Sequence, residues 1–467
     1  MKTIYAKKKK HLNIVPAILF LGLVLSMSSC DSFVEVDLPK SQLTNVTVFQ
    51  DYATANAAMA DVYSKIRDKG VLTGSQFGIS NYLGNYADEL IFYGPPSNSA
   101  LAFYTNLVLP SNSTIALFWN NSYNQIYAAN AVFEGVGAST FNVEEKAQLQ
   151  GEALFVRGLL HFYLLQLFGA IPYVQTTDYK ANSVVKRMSS NEVYAQIISD
   201  LKTAETLLLP SYANTERVRP NSFVVKALLA RVYLYKGAWD DANKMATAVI
   251  ENNTLYVFEN NLDKIFLKTA TETIWQFMPT VAGKNTDEGA FFIFTSGPPP
   301  LVALSESLIN SFAVNDLRKS RWTASVSKGS GIWYYAYKYK ESKFTSASKE
   351  YSIVLRLTEQ YLIRAEARAE LENHIGAKQD LNKIRKRAGL SDIVTNSKEE
   401  LLEAIQQERR KELFSEYGHR FFDLKRRGKL DAALSGKSGW NTTDSLLPIP
   451  ESELSVNPNL GPQNPGY

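Results

Sequence analysis

"PNSFVVKALLARVYLYKGAWDDANKMATAVIEN", residues 220–252, reads as two helices joined by the turn "KGAWDDA". Leu229, Ala230 and Tyr233 recur at helical spacing in the first half, and Ala242, Ala246 and Val249 do so in the second. Small side chains at these positions let two antiparallel helices approach closely. A pair this short cannot bury its apolar face alone, so further pairs must stack on it.

The positions match the small and aromatic slots of a tetratricopeptide unit, and they recur in 358–389 as Ala365, Ala377, Leu381 and Ile384. Helical periodicity also marks 47–68 (opened by Thr44 or Thr47), 115–137, 144–168, 190–209, 374–388 and 398–427. The pairs 47–68 with 115–137 and 144–168 with 190–209 then form degenerate repeats with long insertions. Residues 70–114 and 254–350 differ. They are rich in Gly, Ser, Asn, Pro and aromatics, with short β-like runs "TIWQFM", "FFIFT" and "WYYAYKYK". The expected fold is mainly α: a tetratricopeptide-like superhelical scaffold (about 47–68, 115–252 and 355–430) carrying an irregular, minor-β layer. Loops of that length are usually functional.

The one cysteine, Cys30, follows a charged stretch, an apolar run from Ile14 to Leu25 and the small residues Ser26, Ser28 and Ser29. That run is too short to span about 30 Å of hydrocarbon. A plain anchor helix leaves the cysteine unexplained. Met27-Ser28-Ser29-Cys30 resembles a bacterial lipoprotein cleavage box, although the commonest form has Leu at the first of these positions. The expected division is a signal peptide at 1–29, a lipidated tether at 30–46 and one domain at 47–467. Residues 1–29 hold five lysines and no acid, so their removal turns 50 basic against 46 acidic residues into a net charge of −1. The basic balance is therefore no argument for a nucleic-acid partner. With Cys30 acylated, neither a free thiol nor a disulfide remains.

Catalytic and metal motifs are sparse. His161, His374 and His419 are widely separated and lack ligand spacing. Phosphate-binding loops, dinucleotide fingerprints and nucleophile elbows do not occur in the sequence. Asp88-Glu89 offers glycosidase-type carboxylates, but adjacent acids usually point apart. A surface hydrolase is thus the weakest of three readings, and no catalytic residue, metal or cofactor is assigned. The charged stretch 406–430 alternates Glu408, Glu412, Glu416 and Asp423 with Arg409, Arg410, Lys411, Arg420 and Lys425. Its periodicity predicts intrahelical ion pairs on a solvated face. Leu413, Phe414, Tyr417, Phe421, Phe422 and Leu424 are expected to face the core. The segments 80–95 and 320–341 combine aromatics with hydrogen-bonding groups, as a sugar site requires: flat rings for C–H faces and polar groups for hydroxyls. Tyr82, Tyr93, Trp322 and Trp333 are the candidate platform, and Asn81, Asp88 and Lys338 the candidate polar contacts.

Several stretches together resemble the SusD/RagB family of outer-membrane lipoproteins: "CDSFVEVDLP" (30–39), "GEALFVRGLLHFYLLQLFGAIPYV" (151–174), "LRLTEQYLIRAEARAEL" (355–371), "ERRKELFSEYGHRFFDLKRRG" (408–428) and "LLPIPESELSVNPNLGPQNPGY" (446–467). The resemblance implies a non-enzymatic lid on a SusC-like TonB-dependent transporter. Such a lid captures oligosaccharides, or alternatively peptides, at the cell surface. It also implies that the helical repeats face the barrel and the irregular loops hold the ligand. The chain is somewhat short for the family, which puts a large multi-site platform in doubt. Replacing Cys30 by Ala is expected to leave the protein unacylated and released from membranes. Retention of that variant in the outer-membrane fraction of a host lacking the transporter would contradict the anchor.

Overall fold

The helices named by periodicity are present in the computed structural model, which describes residues 48–467. Helix α1 (Tyr52–Asp68) is capped by Asp51, which accepts a hydrogen bond from the Thr54 N–H, so its start lies beyond the expected Thr44 or Thr47. After α2 (Ile79–Tyr86), the scaffold continues through α3 (Ser113–Ala138), α4 (Val143–Phe168), α5 (Ser190–Leu207), α6 (Ser222–Lys236), α7 (Trp239–Ile250), α8 (Leu357–Glu370), α9 (His374–Arg387), α10 (Lys398–Leu413) and α11 (His419–Arg426). Each long helix packs on the next: α3 on α4, α4 on α5, α5 on α6, α6 on α7, α7 on α8, and α8 on α9 and α10. The close approach in the α6–α7 pair is made by Ala230, Ala242 and Ala246, all fully buried. Gly237 ends α6 in the left-handed region at φ 78°, a conformation in which glycine meets no Cβ penalty.

Two expectations fail locally. The stretch 398–427 is two helices instead of one. The chain breaks at 414–418, where Ser415, Tyr417 and Gly418 all have positive φ. The break turns Phe414 into one apolar cluster and Tyr417 into another, and the Tyr417 N–H bonds to Ser80 Oγ at 2.9 Å. The run "FFIFT" is no strand, because Thr286 caps a helical turn over Asp287–Phe292 by accepting from the Gly289 N–H.

The irregular layer is ordered by two small antiparallel sheets. One runs β1 (Leu90–Phe92), β3 (Val302–Leu304), β5 (Gly331–Ala336), β4 (Thr323–Lys328) in spatial order. The other pairs β2 (Thr273–Phe277) with β6 (Ser352–Arg356). The layer builds a core of its own from Leu90, Ile265, Phe266, Trp322, Ile353 and Phe414, separate from the main helical core.

A buried charge cluster joins layer to scaffold. The Glu412 carboxylate on α10 accepts from Arg387 at 2.6 Å, Arg356 at 2.8 Å and Arg318 at 3.0 Å. Arg318 also pairs with Glu408 at 2.7 Å and Asp316 at 2.8 Å, and Arg387 with Glu272 at 2.9 Å. Arg356 reaches Glu416 at 3.0 Å. The expected solvated face is therefore wrong for Glu408, Arg409, Glu412 and Asp423, which are all buried. The partners of Glu408 and Glu412 come from other elements, which helical spacing alone cannot reveal, whereas Asp423 pairs with Arg409 across the break and with Arg426 one turn along its own helix. The apolar half of that expectation holds: Leu413, Phe414, Tyr417, Phe421, Phe422 and Leu424 are buried.

Three arginines surround one carboxylate, so losing it leaves uncompensated buried cations. Glu412→Ala is expected to cost about 3–5 kcal/mol in denaturant unfolding. Burial alone would raise the Glu412 pKa, but the charges of Arg387, Arg356 and Arg318 outweigh it and hold the carboxyl well below the usual range. Its contribution is present above the unfolded-state pKa and is lost as pH falls toward the folded one. The acid limb of the stability profile should therefore flatten in the variant. In the α6–α7 crossing, Ala242→Leu should overpack and cost about 1–3 kcal/mol. An unchanged thermal midpoint would contradict the close helix contact.

Candidate functional site

A cleft of about 710 Å³ opens where the first sheet meets the scaffold. Its walls come from 87–93, 303–310, 332–334 and 433–437, with Tyr104 and Lys319 beside them. Tyr93 is 41 % exposed and Ile332 59 %, while Tyr104, Trp333 and Tyr334 are half-buried. Trp333 rests on glycines: a Cβ on Gly297 would fall 2.1 Å from its six-membered ring, and one on Gly331 would fall 2.4 Å from it. Side chains at either position would displace the ring.

The polar side of the cleft is built from half-buried ion pairs. Arg420 grips Asp88 through two hydrogen bonds of 2.7 and 2.8 Å. Arg410 adds one to Asp88 at 2.9 Å and one to Ser307 Oγ at 2.8 Å. Burial works to raise the Asp88 pKa, but its bonds to Arg420 and the charges of Arg420 and Arg410 prevail and hold it below the usual value. Lys437 donates to the carbonyls of Asn85 and Ala87 and sits 5.3 Å from the Tyr104 ring centroid. Burial brings its pKa down to about 7, against the charge of Asp88.

Of the candidate residues, Tyr93, Asp88 and Trp333 line this cleft. The other four are interior and need correction. Asn81 and Tyr82 belong to α2, every residue of which is buried, so only the end of the 80–95 segment reaches the cleft. The Asn81 amide donates to the Gln76 carbonyl at 2.7 Å. Tyr82 packs on Phe103 at 4.7 Å and bonds to Ser99. Trp322 is fully buried, its indole N–H bonded to the Leu262 carbonyl at 3.0 Å and its ring edge-on to Phe266. Lys338 donates to the Glu412 and Phe414 carbonyls at 2.8 Å and pairs with Glu416. Burial lowers its pKa to about 8, opposed mainly by Glu416. Trp322 fills the core of the layer, Lys338 ties the layer to the end of α10, and Tyr82 packs into the main helical core.

Sequence reasoning did not single out Tyr104, Ser307, Asn310 or Lys437, and it marked Tyr334 only as one of the aromatics of the 320–341 segment. Tyr104 and Tyr334 lie in the aromatic-rich segments, which was the only signal available. The others have no local signature, since they come from segments joined only by folding.

Both ring nitrogens of His161 are taken up by the backbone. His161 Nε2 accepts from the Val174 N–H at 3.1 Å, which leaves the Nδ1–H to the Arg157 carbonyl at 2.9 Å. Burial pushes its pKa down to about 3. Among the described residues no group of three or more His, Cys, Asp or Glu is placed to hold a metal ion. Nor is any helix among them long and apolar enough to cross a membrane. Cys30 lies outside the described residues.

A family profile described as "Starch-binding associating with outer membrane" matches residues 33–234, and one described as "SusD family" matches residues 310–467. The chain belongs to the SusD/RagB family. It is 23% identical to a SusD-like protein, P25, of Formosa agariphila, over 95% of this chain and 97% of that one. It is 26% identical to a second from the same organism, P2, over 76% and 81%. Among solved structures, a SusD superfamily protein from Parabacteroides distasonis superposes with a TM-score of 0.76 at 24% identity, covering 91% of this chain and 100% of that one. A laminarin-binding SusD-like protein does so with a TM-score of 0.74 at 22% identity, covering 89% and 99%.

The glycine floor under Trp333 is open to test. Gly297→Ala should shift the Trp333 indole N–H resonance, whereas Gly436→Ala, where nothing lies within 4 Å of an added Cβ, should leave it in place. Equal spectra for both would show that the ring does not depend on the floor.

Proposed function

We propose that this protein captures oligosaccharides at the cell surface in the sheet-side cleft and delivers them to a SusC-like TonB-dependent transporter. In this reading residues 1–29 are removed as a signal, a lipid on Cys30 holds the protein to the outer membrane, and 30–46 is the tether. The observation that carries the ligand class is the lining of the cleft. Tyr93, Tyr104, Trp333 and Tyr334 gather there with Ser307, Asn310 and Lys437 in a volume within the roughly 300–1,000 Å³ range of ligand pockets. Rings take the C–H faces of sugars, and the polar groups take hydroxyls. The family profile worded around starch binding and the outer membrane supports the same role, as does the fold shared with a laminarin-binding protein.

Binding without turnover fits the acids. Asp88 is held ionised by two arginines and has no proton to give as a general acid. Glu89, whose pKa burial, then the Asp88 charge, raises to about 7, is not among the residues lining the cleft. Two carboxyl groups flanking one bond, as glycosidases require, are not assembled from this pair.

Calorimetry of the purified full chain against malto- and laminari-oligosaccharides tests the reading. Trp333→Ala and Tyr93→Ala should each weaken the best ligand about 5- to 150-fold, by analogy with one stacked base on an aromatic ring. Parent-like affinity in both folded variants would misplace the site. Binding of an oligopeptide with no glycan bound would favour a peptide-capturing lid. Co-purification with a TonB-dependent barrel under mild detergent extraction tests the partner, and recovery as a lone monomer would count against it.

A further inference from the structure

A second groove lies on the scaffold. Trp119, Tyr123 and Tyr127 follow at four-residue spacing along α3, so they line up on one side of the helix. The row climbs out of the core: Trp119 is buried, Tyr123 half-buried and Tyr127 44 % exposed. The Trp119 and Tyr123 ring centroids are 4.9 Å apart with a 50° tilt. Asn120 and Asn124 run beside them, both exposed.

Two segments remote in sequence close the groove. The Tyr123 hydroxyl donates to the Pro172 carbonyl at 2.8 Å. From the C-terminal segment, Asn457 donates to the Val185 carbonyl at 2.8 Å and Asn459 to the Val184 carbonyl at 3.0 Å. These bonds hold the walls apart at fixed spacing around about 480 Å³, again within the ligand-pocket range.

The lining selects the ligand. None of its residues is basic, and Glu453 is its single acid. An anionic ligand would find no counter-charge there. A purely apolar one would leave the exposed Asn124 amide unpaired on desolvation. A neutral sugar satisfies both halves of the surface. Its C–H face covers Tyr127, and its hydroxyls meet two amides that can donate and accept and one carboxyl. A merely solvated helix face would carry charge here, whereas this one pairs the exposed tyrosine with Val456, 81 % exposed on the opposite wall.

We propose that the groove between α3, 172–185 and 453–460 is a second saccharide-binding site, for a neutral sugar unit. Its ligand class rests on the capture reading above. Its location does not, since it shares no lining residue with the sheet-side cleft. Two separate sites on one chain raise avidity for a glycan long enough to reach both, or hold two glycans independently.

The test follows the indole N–H resonances of the full-length protein, labelled with ¹⁵N-tryptophan in detergent micelles, during titration with malto- and laminari-oligosaccharides. Trp119→Phe and Trp333→Phe assign the two signals. The Trp119 signal should shift saturably with at least one of these neutral glycans, both in the parent and in Trp333→Ala. Tyr127→Ala should weaken that response about 5- to 150-fold and leave the Trp333 titration intact. A Trp119 signal unmoved by every glycan overturns the proposal. So does a shift that disappears in Trp333→Ala and survives in Tyr127→Ala. If Trp119 responds and Trp333 stays silent, the second site stands and the sheet-side reading falls.

Discussion

One carboxylate governs how the two layers meet. Glu412 accepts from Arg318, Arg356 and Arg387, which come from the irregular layer, the end of β6 and the end of α9. Burying so much charge is costly unless every group finds a partner. Here Glu272, Glu408, Glu416 and Asp316 complete the pairing around the same arginines. Planar guanidinium groups suit this because each can bridge several carboxylates in a fixed geometry. An apolar contact could also join the layers, but it would not set their angle. A charge network of this kind tolerates little sliding, since any displacement strands a buried ion.

That rigidity reaches the cleft through the same helices. Arg410 and Arg420, which hold Asp88 in the cleft wall, sit on α10 and α11 beside the cluster residues. Lys338 bonds to the carbonyls of Glu412 and Phe414 from the strand side. The wall and its floor under Trp333 are therefore set before any ligand arrives. A pre-formed aromatic surface avoids the entropy of ordering side chains on binding, which suits a protein that must capture dilute ligand and pass it on.

The two grooves are built by opposite means. The sheet-side cleft gathers residues from short strands and turns, and each turn brings one or two. The α3 groove takes its aromatic row from one helix and closes it with loops. The first depends on the layer being docked correctly, and the second on the bonds that tie 172–185 to α3 and to the C-terminal segment.

The helical scaffold was legible because its signal is local. Spacing of Ala230, Ala242 and Ala246 identifies a close helix pair from one segment, and a 3.6-residue period needs no knowledge of the partner. The minor-β layer was legible as a composition, and Tyr93, Asp88 and Trp333 fell in the segments where composition pointed. The fates of Tyr82, Trp322 and Lys338 were not legible. An aromatic or lysine in a short segment carries too little period to show which way it faces. Trp322 turns inward because Leu262 and Phe266 wait there, and Lys338 because α10 ends at its ammonium. The charged run 406–430 had the periodicity of a wet helix face. Only the tertiary structure could reverse that reading, since partners such as Asp88 for Arg420 lie 332 residues away. Local pattern decided which segments became helices. Long-range pairing decided which side chains are spent on holding the layers together and which are left free to meet a ligand.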